Sequence, residues 1–74
     1  MIKENIKKYI EEIFKEKYNE KISVSFYKCI MFIDFEDSEI LVDLCKEKIL
    51  SFKYTDFNLL GFIISNISKI KNIK

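Results

Sequence analysis

Cys29 with Cys45 and Asp34 with Asp43 are the residues whose types and spacing could do chemistry in this chain of 74 residues. Two thiols could act as nucleophiles or close a disulfide, and two carboxylates on neighbouring strands could share a proton or a cation. The rest of the composition gives that chemistry little support. There is no His to act as a base near neutral pH, and all thirteen basic residues are Lys, so no guanidinium is present to clamp a phosphate or carboxylate. The sole glycine, Gly61, falls inside a predicted helix and cannot open a phosphate loop. The cysteine spacing matches no zinc pattern, and an aspartate pair supplies too few oxygen ligands for calcium. The expectation is a protein that is not an enzyme, with no cofactor and no metal.

What remains is contact chemistry, and it depends on the elements that carry these residues. Ile2, Ile6, Tyr9, Ile10 and Ile13 form one stripe at 100° per residue, opposite Glu4, Lys8, Glu11, Glu12 and Lys15, which predicts an amphipathic helix over residues 2–18. Phe14 and Tyr18 widen its edge, and Asn19 suits the position just past its end. Residues 22–55 alternate and are rich in β-branched and aromatic side chains, which predicts strands. A second helix starts from Thr55 or Asp56 as cap and buries Leu59, Leu60, Ile63, Ile64, Ile67 and Ile70. Lys69, Lys71 and Lys74 suit its C-terminal end, where the helix dipole favours cations. Phe62 and Ile73 fall outside that stripe, which makes Phe62 a candidate partner contact.

The strand register follows from loop lengths. A four-residue loop over residues 36–39 sets Phe35 against Ile40, Ile33 against Val42 and Met31 against Leu44. A three-residue loop over residues 46–48 then sets Leu44 against Leu50, Val42 against Phe52 and Ile40 against Tyr54. That arrangement gathers one apolar core face. The reverse face carries Ile30, Phe32, Asp34, Leu41, Asp43, Cys45, Ile49, Ser51 and Lys53, with Asp34 and Asp43 on a diagonal about 7 Å apart at the backbone. Cys45 then reads as a small hydrophobe near Ile49. Uninterrupted alternation puts Cys29 and Cys45 on opposite faces, so both are expected as reduced thiols without an intramolecular bond. Simple continuation would put Ile22, Val24 and Phe26 on the reverse face, so a bulge or sharp bend at Lys28 and Cys29 is expected within one long strand.

The fold class expected is α+β in one domain over residues 1–74: helix, three-stranded antiparallel meander, helix, with both helices on one sheet face. A chain this short has too little protein to cover both sheet faces. The reverse face is therefore the expected partner interface, with Ile30, Phe32, Leu41 and Ile49 as anchor, Asp34, Asp43 and Lys53 as rim, and Phe62 as an additional contact.

The α-β-β-β-α order resembles the double-stranded RNA-binding domain, which implies a Lys-rich segment opening the second helix. Here that segment reads Thr55-Asp-Phe-Asn-Leu-Leu-Gly-Phe62, with an Asp and no Lys, and the net charge is only +1, which disfavours nucleic acid as partner. The plan also looks like that of some small phage-encoded anti-CRISPR inhibitors. Fourteen isoleucines among many lysines and asparagines suggest an AT-rich coding genome, as in low-GC bacteria and their phages or other mobile elements.

The charged N-terminal stretch offers no signal-peptide core, and the apolar run from Leu59 to Ile64 is far short of a membrane span. The expectation is a cytoplasmic protein-protein interaction module of inhibitor type, with no membrane contact. The alternatives are a homodimeric accessory protein and, third, a nucleic-acid binder.

Overall fold

The structure, a computed structural model, describes residues 2–18, 22–35, 38–53 and 57–74. Its order is α1 (Lys3–Tyr18), β1 (Ser23–Tyr27), β2 (Ile30–Phe35), β3 (Ser38–Asp43), β4 (Lys48–Lys53) and α2 (Phe57–Lys71). The class is α+β, and the sheet has four antiparallel strands in the order β1-β2-β3-β4 where three were expected.

The additional strand comes from the segment expected to bend. Tyr27 pairs with Ile30 and Val24 with Ile33, so Lys28 and Cys29 form a two-residue hairpin turn. Lys28 makes that turn at φ 55, a left-handed conformation that costs a side-chain-bearing residue about 1 kcal/mol. The compensation is burial. The turn returns Ile22 and Val24 to the core face, at 7% and 2% exposure, beside Met31 and Ile33, both fully buried.

The second hairpin keeps the expected face but not the expected loop. Phe35 pairs with Ser38, Ile33 with Ile40 and Met31 with Val42, a shift of two residues that leaves the side-chain alternation unchanged. The third hairpin departs further. Its turn occupies residues 44–47, where the Asp43 carboxylate accepts the Lys46 backbone N–H at 3.0 Å and Glu47 takes φ 53. A bulge between Leu41 and Val42 then separates two registers: Val42 opposes Ile49, whereas Leu41 opposes Ser51 and Ile40 opposes Phe52. The expected pairs of Leu44 with Leu50 and Val42 with Phe52 do not form.

Both helices cover the same sheet face. Ile6, Ile10 and Phe14 of α1 and Leu59, Leu60, Ile63 and Ile70 of α2 join Val24, Met31, Ile33, Ile40, Val42 and Leu44 in one buried cluster. The helices run antiparallel. The Ile2 N–H donates to the Ile73 carbonyl near one end, Lys69 Nζ stands 5.7 Å from the Tyr9 ring, and Phe14 meets Phe62 edge-on with centroids 5.6 Å apart. Three details of the helical stripes differ from expectation. Phe14 is central in the α1 stripe rather than at its edge, Ile2 is half exposed, and Ile64 is 58% exposed. Asn19, Tyr54, Thr55 and Asp56, assigned roles above, lie outside the described residues.

Candidate functional site: the open face of the sheet

Alternation that sends Val24, Met31, Ile33, Ile40 and Val42 toward the helices sends their neighbours to the opposite side. The register arranges those neighbours in three rows. Tyr27, Ile30, Asp43 and Lys48 form the row nearest the Lys28 turn; Ser25, Phe32, Leu41 and Ser51 form the middle row; Ser23, Asp34, Glu39 and Lys53 form the third. Neither helix packs on this side. Ile30, Phe32 and Leu41 are nevertheless only partly exposed, because directly opposed and diagonal side chains on a pleated sheet cover one another. Tyr27 stands at the margin with 63% exposure, and the Lys28 ammonium lies 5.5 Å from its ring.

The face therefore has an apolar centre of Ile30, Phe32 and Leu41, bordered by serines on β1 and lysines on β4. Asp34, Glu39 and Asp43 lie on the two central strands. Opposite charges stand across β3 and β4, with Glu39 against Lys53 and Asp43 against Lys48. Six of the eight residues expected at a partner interface belong here: Ile30, Phe32, Asp34, Leu41, Asp43 and Lys53.

The other two are placed elsewhere. The bulge turns Ile49 to Val42, and it packs against the core. Phe62 is half-buried and fills the space between the helices against Phe14. Tyr27 was not anticipated as a member, since its place on this face depends on the Lys28–Cys29 turn. The interruption of alternation at those two residues was its only sequence signal.

The register also separates the two candidate chemical pairs differently from expectation. Asp34 lies in the third row and Asp43 in the first, at opposite ends of the face, and not on one diagonal. Among the described residues no three His, Cys, Asp or Glu side chains gather as metal ligands.

The cysteines are brought together. Cys29 and Cys45 form a disulfide with Cα atoms 5.7 Å apart, a correction to the expected separation on opposite faces. The strict alternation behind that expectation ends at the turns. Cys29 belongs to the β1–β2 turn and Cys45 to the β3–β4 turn, at the same end of the sheet, and the Leu44 N–H donates to the Cys29 carbonyl at 2.9 Å. Lys71 braces the same corner from α2. Its Nζ lies 3.4 Å from the Cys45 carbonyl oxygen and 3.6 Å from the Glu47 carboxylate.

The chain matches no protein-family model, no curated protein and no solved structure. Among the described residues, no helix is long and apolar enough to cross a membrane.

Proposed function

We propose that the chain is a non-catalytic protein-binding module, an inhibitor or adaptor, whose open sheet face receives an apolar anchor of another protein. The observation that carries this reading is the helix-free face with Ile30, Phe32 and Leu41 at its centre and a polar rim around them. Three carboxylates on the central strands favour a partner that flanks its anchor with basic groups.

Charge favours a different protein over a second copy at this face. A two-fold axis parallel to the strands would lay β2 on β3 of the other copy, setting Asp34 against Glu39 and Ile30 against Asp43. An axis across the strands would set Asp43 against Glu39 and Lys48 against Lys53. Both aligned arrangements place like charges in contact, which is destabilising at close range.

The test is capture from a lysate of the native host by tagged chain, with and without nuclease, in parallel with a Phe32→Asp variant. Phe32 is outside the helix-covered core, so the substitution is expected to leave the circular dichroism spectrum intact at a stability cost on the order of 1 kcal/mol. A stoichiometric protein that survives nuclease and is lost with Phe32→Asp supports the reading. Capture that persists in the variant, or disappears with nuclease, overturns it.

A further inference from the structure

The Cys29–Cys45 bond stands at one end of the open face, and that end is built from the residues that flank it. Tyr27 and Ile30 lie on either side of the Lys28–Cys29 turn, and Asp43 and Lys48 on either side of the turn over residues 44–47. These four make up the first row of the face, and Ile30 belongs to its apolar centre. The second and third rows have no member next to either turn.

The bond fixes this corner without being part of the core. Neither cysteine belongs to the buried cluster; Cys29 is half-buried and Cys45 is exposed. Exposed disulfides are the ones that exchange readily with free thiols. Apart from the sulfurs, the two turns are joined by the Leu44 N–H on the Cys29 carbonyl at 2.9 Å. The Lys71 contact to Glu47 is a solvent-facing pair, with side chains 36% and 39% exposed. Lys28 in one turn and Glu47 in the other hold positive φ, so neither turn is kept in place by the preference of its own residues.

Exchange has a defined direction here. A thiolate reaches the exposed Cys45 Sγ and bonds to it; the Cys29–Cys45 bond breaks, and its electron pair leaves on the Cys29 Sγ, which takes a proton from solvent. A second thiol then attacks the outer sulfur of the mixed disulfide and frees Cys45. Two electrons pass to the cysteine pair, and the reductant, two monothiols or one dithiol, leaves as its own disulfide. Lys46 follows Cys45 directly and the Lys71 Nζ lies 3.4 Å from the Cys45 carbonyl oxygen, cations that favour the approach of a thiolate. The two acids of this corner are already engaged, Asp43 by the Lys46 N–H and Glu47 by Lys71.

We propose that the clasp is a redox switch of the open face. A small thiol or dithiol attacks Cys45, the corner opens while the helices and core stay folded, and the first row loses its fixed arrangement. The consequence for a partner rests on the reading of this face as a protein-binding site: the oxidised chain is the binding form, because the reduced chain must order the row again on contact.

The test treats the oxidised full chain with reduced glutathione in the absence of denaturant, quenches with iodoacetamide and maps the adducts by peptide mass spectrometry. Glutathione is expected on Cys45 at least about tenfold over Cys29, at a rate proportional to its concentration and with the helical circular dichroism retained. An adduct mainly on Cys29, a rate that levels off at that of global unfolding, or loss of the helical signal overturns the proposal. In amide spectra of the oxidised and reduced chains, Tyr27, Ile30, Asp43 and Lys48 are expected to shift or broaden while Ser23, Asp34, Glu39 and Lys53 keep their positions. Equal change in both rows, or in neither, also overturns it. Capture from a desalted lysate should fall about tenfold from the oxidised chain to Cys29→Ser/Cys45→Ser, and equal capture by the two overturns the gating. Capture by neither counts against the proposed function, whereas the adduct map and the amide spectra decide the switch without a partner.

Discussion

Opening the clasp between Cys29 and Cys45 is expected to lower stability by about 3 kcal/mol. The bond spans a sequence separation of 16 residues and ties the β1–β2 turn to the β3–β4 turn. On the chain-entropy account, closing a loop of that length removes about 10 cal/mol/K from the unfolded ensemble, or about 3 kcal/mol at 25 °C. The folded side of the balance changes little. The Cα separation of 5.7 Å lies inside the range of about 4.4 to 6.8 Å that disulfides adopt without moving the backbone. The backbone bond from Leu44 to Cys29 and the Lys71 brace remain when the sulfurs part.

A chain of this size is expected to have roughly 4 to 11 kcal/mol in total, so the clasp supplies more than a quarter of it. Urea denaturation followed by circular dichroism, with and without reductant, measures the difference, and the Cys29→Ser/Cys45→Ser double variant provides a reductant-insensitive reference. The reduced chain and the double variant should coincide, with midpoints lowered by roughly 2 M and a slightly steeper slope from the more open unfolded state. Thiol titration establishes whether the starting material is oxidised. A midpoint that does not move when verified disulfide is reduced would refute the entropic reasoning and the view that the two turns act as one corner.

Two further expectations concern the core and the hairpins. Phe14→Ala should cost about 3 to 5 kcal/mol in chemical denaturation, because it empties a buried site and removes the edge contact to Phe62; a loss under about 1 kcal/mol would mean the helices do not meet there. Lys28→Gly should raise the urea midpoint by the equivalent of up to about 1 kcal/mol, since Lys28 holds positive φ, and a destabilised variant would contradict the turn geometry.

The alternation of residues 30–44 was enough to sort Met31, Ile33, Ile40 and Val42 from Ile30, Phe32 and Leu41. A register error of two residues preserves face membership, so this part of the site was legible although both loop lengths were misjudged. Helical period likewise identified the stripes of both helices, because spacing alone decides which residues share a side. Periodicity does not decide how much of a stripe a neighbour covers, so Ile64 is exposed while Phe62, outside the stripe, packs against Phe14.

Only the tertiary structure decided the features that break the local rules. Lys28 and Glu47 adopt conformations their residue types disfavour, and the energy that holds them there comes from strands packing elsewhere in the sequence. The β4 bulge carries Ile49 into the core and leaves Leu50 unpaired, a choice between registers that pattern alone does not rank. The disulfide depends on two turns meeting at one end of the sheet, a distance set by strand lengths and turn geometry together. Sequence by itself determined which side chains could be buried and the absence of His and Arg; the fold determined which apolar surfaces were left for others to cover, since burial is shared among elements distant in the chain.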